Sequence, residues 1–230
     1  NWTDSKRQRR QVLDLLNELR PEVFCLVEST PFFVSEFENV VGSDLNYGYR
    51  NDDNRRKVWL VSDSPCDSIS LASESGLPPG RFVSALTNGV RFVGVCVPWY
   101  NAHVATGNRN RAPWEDHSAY LRSLKPIIEA HVKAGESVCV FGDFNQRVPP
   151  VPRNEPYYPL LEDALAGLQF HTANELDCDG EQLIDHVATT PDLSFSIDRT
   201  ISRYDAQGRI ISDHPAIVGT LTRVNQSDDN

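Results

Sequence analysis

The sequence predicts a mixed α/β fold of the α+β kind, in one domain. Three observations carry this. Short apolar runs rich in β-branched residues recur at Val23–Val27, Lys57–Ser62, Val90–Val97 and Val138–Phe141, each the length of a buried strand rather than a helix. Two segments instead space their apolar residues as a helix face: Val12, Leu15, Leu16 and Leu19, then Leu121, Leu124, Ile128 and Val132. Asn88-Gly89, set between two apolar runs, is the strongest short signal for a β-hairpin. No repeat or clear linker interrupts the 230 residues, which is enough chain for one sizeable core.

The first helix is expected up to Arg20, with Pro21 as its stop. Lys6, Arg7, Arg9 and Arg10 lie in its first turns, where the helix dipole disfavours cations. They read as a solvated face or as a phosphate-facing edge. Glu22–Val27 is apolar on both sides and so reads as a central strand, with Glu28 at its end. Phe32–Val41 predicts a short helix, Tyr47–Asn54 a loop, and Lys57–Ser62 and Ile69–Leu71 strands. Leu77-Pro78-Pro79-Gly80 breaks the chain. Arg81–Leu86 and Val90–Val97 are the hairpin strands. A polar loop carrying Arg109 and Arg111 leads into a long helix, Trp114–Ala134, with Pro113 at its start, Pro126 inside and Gly135 at its stop. The run Val138–Phe141 then ends in Gly142, Asp143, Phe144 and Asn145. Beyond a proline-rich loop come a helix at Leu160–Leu168 and strands at Gln169–Thr172, Gln182–Thr189, Leu193–Ile201, Arg209–Ile211 and Ala216–Thr222.

The formal net charge is −10, the opposite balance from a protein that clamps long nucleic acid nonspecifically. The five cysteines show neither a zinc spacing nor a disulfide framework. Cys25, Cys96 and Cys139 lie in apolar runs as small hydrophobes, which favours a reducing compartment such as the cytoplasm. No stretch reaches the roughly 18 apolar residues of a membrane span, and a monomer is expected.

Polar groups at or inside the apolar strands are Glu28, Asp143, Asn145, Asp185, Asp213 and His214. Gathering carboxylates, a carboxamide and an imidazole is costly unless they bind a cation or move protons. Carboxylate oxygens suit a hard cation such as Mg²⁺, with Mn²⁺ as the alternative. An Asp–His pair can hold a charged imidazole. Together these types point to metal-assisted attack of water on a phosphoester. His117 and His186 read as structural rather than as ligands.

Gly142–Asn145 (GDFN), Leu183–His186 (LIDH), Ser212–Ile217 (SDHPAI) and Val27-Glu28, in this order and spacing, resemble the endonuclease/exonuclease/phosphatase superfamily. The resemblance spans nearly the whole chain. It implies a four-layer αββα sandwich: two mainly antiparallel mixed sheets, face to face, flanked by helices, with the site at one edge. It implies that Glu28 ligates Mg²⁺, that Asp143 orients or deprotonates the attacking water, and that Asn145 holds the water and a phosphate oxygen. His214 would contact the scissile phosphate, Asp185 would align its imidazole, and Asp213 would complete the acidic side and touch the metal. The family also ends its first strand in an Asn about as far ahead of the metal Glu as Asn1 stands from Glu28. The resemblance therefore makes Asn1 a candidate catalytic residue and implies a first strand that is missing ahead of it. Many members carry a His or Tyr where this chain has Cys96, with Tyr100 and His103 a little further on. Arg109 and Arg111 are candidates for binding substrate phosphate.

The expected function is a Mg²⁺-dependent phosphodiesterase or nuclease. The alternatives are a phosphomonoesterase on a small phosphorylated molecule or lipid headgroup, and a binding module that lost catalysis. Trp2-Thr3-Asp4 departs from the abasic-endonuclease pattern. A local basic rim of Lys6–Arg10, Arg55-Arg56-Lys57 and Arg109/Arg111 would be the nucleic-acid contact.

Overall fold

The computed structural model describes residues 6–48, 54–73, 75–152 and 155–224. Its elements in order are α1 (Lys6–Leu19), β1 (Val23–Ser29), β2 (Asn39–Gly42), β3 (Arg56–Ser62), β4 (Asp67–Ser70), β5 (Phe82–Thr87), β6 (Val90–Cys96), α2 (Glu115–Lys133), β7 (Val138–Asp143), α3 (Tyr158–Ala164), β8 (Gln169–Phe170), β9 (Asp185–Thr189), β10 (Leu193–Ile201) and β11 (Ala216–Arg223).

The period-2 pattern of the strands builds the layers. In β3, Val58 and Leu60 face the space between the sheets, while Trp59 and Val61 face α1 with Leu16 and Phe24. In β6 and β7, Val93, Val95, Val138 and Val140 pack under Tyr120, Leu121, Leu124 and Ile128 of α2 and Leu161 of α3. Phe92, Cys96 and Cys139 point the other way, into the inter-sheet core. The sandwich is thus helix, sheet, sheet, helix, as the resemblance implied. Burial of each such Val or Leu favours the fold by roughly 1.5–3 kcal/mol. Gly94 of β6 lets the sheets approach closely: a Cβ there would stand 2.8 Å from a Val58 methyl.

One sheet has the order β4-β5-β6-β7-β9-β8. Its β6–β7 pair is parallel, joined through α2, and the other pairs are antiparallel. The facing layer is in two pieces, β2-β3-β1 and β10-β11. Among the described residues, β1 pairs only with β3 and β11 only with β10. The first strand implied by the resemblance would lie ahead of Asn1, outside the described residues. No helix among the described residues is long and apolar enough to cross a membrane.

Local signals explain the boundaries that the sequence placed well. Asn88 and Gly89 have φ of 51° and 72°, the two positive values a type I′ turn needs, and they close the Thr87↔Val90 pair. Gly135, at φ 74°, ends α2 in a Schellman motif: its N–H donates to Val132 O, and that of Glu136 donates to His131 O. Three expectations differ. Phe32–Val41 is not a helix but a 3₁₀ turn at Pro31–Phe33 followed by β2. Phe33, Val34, Phe37 and Val40 do carry helical spacing, but Val40 and Val41 gain more as an edge partner of Val61 and Leu60. Arg209–Ile211 forms only the isolated bridge Tyr204↔Ile210. Gln182 bridges back to Leu176, so the strand expected from Gln182 begins at Asp185, which places this acid at a strand start rather than in mid-strand.

Candidate active site

Asp143 ends β7 inside the six-stranded sheet, opposite Cys96 of β6 on one side and Asp185 of β9 on the other. The sequence builds this strand end residue by residue. Gly142 has φ 128°, and a Cβ on it would meet the Val95 carbonyl oxygen at 2.2 Å, a contact only glycine avoids. Gly142→Ala is therefore expected to lower stability by about 3 kcal/mol or more, read as a fall in the urea midpoint. Phe144 is fully buried and lies edge-on to Phe170 and His186. Asn145 follows at φ 52°, which turns its side chain back on Asp143. Its backbone N–H donates to Asp143 Oδ1 at 2.8 Å, and its Nδ2 donates to Asp143 Oδ2 at 2.7 Å and to Val97 O at 2.8 Å. Both carboxylate oxygens are thus fixed in place by one residue.

Asp185 and His214 complete the cluster. His214, just ahead of β11, is anchored by its N–H to Ser212 Oγ, and its Nδ1 lies 3.1 Å from Asp185 Oδ2. Potential ligand atoms of Asp143, Asp185 and His214 all lie within 4.8 Å of one another. Burial pushes the Asp143 carboxyl up to about 7; the charge of Asp185 adds to this and that of His214 opposes it. Burial works against charge on His214, but Asp185, Asp143 and Asp213 outweigh it and hold the imidazole up to about 10. His214 is therefore a cation at neutral pH, facing two carboxylates.

Glu28 stands apart from this trio. It sits in β1 at φ 51°, across from Lys57 in the ladder set by Val27↔Val58 and Ser29↔Arg56. Lys57 Nζ donates directly to Glu28 Oε1 and also lies over the Tyr47 ring, 4.9 Å from its centroid. Burial would raise the Glu28 carboxyl, but Lys57, Arg81 and Arg55 bring it below its usual range. Asp213 is exposed and contributes its charge to His214. Arg109 is exposed. Arg111 pairs with Asp116 at 3.2 Å and with Glu115 at 3.5 Å, and it lines a cavity of about 400 Å³ with Tyr47, Arg81, Pro98 and His103. That cavity does not include Asp143, Asp185 or His214. Asn1 lies outside the described residues. Cys96 is core, 1% exposed, and burial pushes its thiol up.

His117 and His186 are braces, as their sequence context suggested. Gln146 follows Asn145 and is held from both ends. Its Nε2 donates to His117 Nε2 at 2.6 Å, and its carbonyl accepts from His186 Nε2 at 2.9 Å. His117 Nδ1 in turn donates to Pro98 O, so this ring is neutral with its proton on Nδ1. Burial takes His117 from 6.5 down to about 4. The unfolded chain binds this proton near pH 6.5 and the folded chain near pH 4, so the stabilisation is complete above about pH 6.5 and is lost as pH falls through that window. The stability advantage of the parent over His117→Gln is expected to shrink by roughly 3 kcal/mol between pH 7 and pH 4, measured by urea unfolding at each pH.

Arg81 and Gln146 shape the site without having stood out in the sequence, and Lys57, expected there in a basic rim, is buried and bonded to Glu28 instead. The available signal for Lys57 was a lysine opening the otherwise apolar run Lys57–Ser62. Arg81 is a buried arginine, 4% exposed, and it reaches Cys96 O.

No family model matches the sequence, and neither does any curated protein. Solved structures do match its fold. A 3′-5′ exonuclease from Neisseria meningitidis is similar over 94% of this chain and 96% of its own, at 17% identity and a TM-score of 0.64. Truncated TDP2 from Caenorhabditis elegans is similar over 95% and 90%, at 12% identity and a TM-score of 0.63. An AP endonuclease from Archaeoglobus fulgidus is similar over 94% and 95%, at 17% identity and a TM-score of 0.57. The chain has the endonuclease/exonuclease/phosphatase fold.

Proposed function

We propose that this protein is a metal-dependent phosphoester hydrolase, acting as a phosphodiesterase or nuclease. The observation that carries the reading is the meeting of a fixed, buried carboxylate with an Asp–His ion pair at one end of the sandwich. Asp143 has the position and the raised basicity to take a proton from water. Asn145 fixes its orientation through both oxygens. The His214 imidazolium, held by Asp185, offers a hydrogen bond and a positive charge to a phosphoryl oxygen as negative charge gathers there. Ligand atoms of Asp143 and Asp185 lie within 4.8 Å of one another and of His214, and their carboxylate oxygens suit a hard divalent cation. Glu28, bonded to Lys57 outside this trio, would join them as a ligand, and Mg²⁺ or Mn²⁺ would supply Lewis acidity at the phosphoryl group.

Four cations of the expected basic rim have carboxylate partners within the chain. Arg7 pairs with Asp205, Arg10 with Asp14, Lys57 with Glu28 and Arg111 with Asp116. This favours a substrate gripped near its reacting phosphate over a long duplex clamp. It also keeps a phosphomonoester at a nucleic-acid end as the second reading, since one Neisseria structure of similar fold (TM-score 0.65) is described as a 3′ phosphatase bound to product DNA hairpin. The test is a panel of plasmid DNA, abasic oligonucleotide, 3′-phosphorylated oligonucleotide, inositol phosphates and sphingomyelin, each with Mg²⁺ or with EDTA. Cleavage of a nucleic-acid substrate that EDTA abolishes is the expected result. No turnover of any substrate with Mg²⁺ or Mn²⁺ would leave the binding module as the better account.

A further inference from the structure

We infer that Lys57 is a tethered competitor for the metal, a built-in cation that a divalent ion must displace from Glu28. The inference rests on the reading of Glu28 as a ligand, and it concerns a residue to which that reading gave no metal role. Lys57 is the second residue of β3, set against Glu28 between the Val27↔Val58 and Ser29↔Arg56 pairs, and is 5% exposed. Its ammonium donates to Glu28 Oε1, an oxygen that a hard cation would use. A buried ammonium needs a compensating partner. Lys57 has a second one in the Tyr47 ring, 4.9 Å from Nζ, and Tyr47 is itself buried, 5% exposed. The lysine can therefore release Glu28 without losing every favourable contact, because the face of an aromatic ring attracts a cation. Glu28 lies between the Val27↔Val58 and Ser29↔Arg56 pairs of the β1–β3 ladder, which keeps it beside Lys57.

Two positive charges contend for one carboxylate, and like charges a few ångström apart repel strongly in a partly desolvated site. Removing the ammonium should therefore tighten divalent binding. Titration of Mn²⁺ into the full chain by calorimetry measures this without any turnover. Lys57→Met is expected to bind Mn²⁺ about tenfold more tightly than the parent, a conservative figure for the loss of one adjacent unit charge. Lys57→Arg, which keeps the charge, should stay near the parent. Glu28→Gln added to Lys57→Met should erase the gain. Lys57→Gln, neutral and still able to donate to Glu28, gives the same comparison if Met at this buried position prevents cooperative melting. Mn²⁺ binding by the parent, with unchanged or weaker binding by the folded neutral variants, overturns the inference and leaves the metal site standing. No Mn²⁺ binding by the parent or by any variant overturns both.

Discussion

Asp143→Asn is expected to lower kcat by about 10³-fold or more, in the range that loss of a positioned general base produces, with a much smaller change in KM. The expectation follows from how completely the carboxylate is committed. Asn145 already donates to both oxygens, so what remains for water is the lone pairs on the far side, and these belong to a group that burial has made more basic. An amide in its place is no base. It also sets an NH₂ against one of the two Asn145 donors, backbone N–H or Nδ2, which costs one of the two bonds that align the group. Asn145→Ala should cost less than Asp143→Asn, because the base survives and only its alignment goes. The fold should tolerate the loss of charge. Burial raises the Asp143 carboxyl in the folded state, so its ionised form opposes folding at neutral pH, and a neutral side chain removes that opposition. Steady-state kinetics, with thermal melting of both proteins, is the check. Turnover within tenfold of the parent by a folded Asp143→Asn protein would remove Asp143 from the chemistry.

How far the sequence reached depends on which interactions are local. GDFN was legible because its geometry is short-range: Gly142 is required by its backbone, Phe144 by the core, and Asp143 and Asn145 by one another. The hairpin at Asn88-Gly89 and the helix stop at Gly135 were legible for the same reason. The inter-sheet core followed from alternation in β3, β6 and β7. The Lys57–Glu28 contact was not legible, because it depends on the register between β1 and β3, which no local pattern states. The pairing of Arg7 with Asp205, 198 residues apart, was hidden likewise, so part of the basic rim that looked available in the sequence is neutralised in the fold. Phe32–Val41 misled because helical spacing and an edge strand beside a helix can place the same apolar residues inward.

The second large effect lies in the Asp185–His214 pair, where pH separates alignment from charge. His214→Ala removes the cation that faces the phosphoryl oxygens and is expected to lower kcat by about 10²–10³-fold, comparable to the loss of a transition-state donor. Asp185→Asn should cost less at pH 6 and progressively more as pH rises. The reason is the balance at His214: burial disfavours its charge, and the Asp185 carboxylate is the first group to outweigh that effect and hold it up to about 10. With Asp185 neutral, burial is opposed by Asp143 and Asp213 without the largest of the three charges, so the imidazole gives up its proton at a lower pH than in the parent. The parent should show its alkaline decline only at higher pH. His214→Ala should then mask Asp185→Asn, so that the double variant is no worse than His214→Ala alone. Profiles of kcat from pH 5.5 to 9 for the three variants and the parent decide it. An Asp185→Asn profile parallel to the parent's would mean that Asp185 holds the loop rather than the charge, and the imidazolium would lose its assigned part in the reaction.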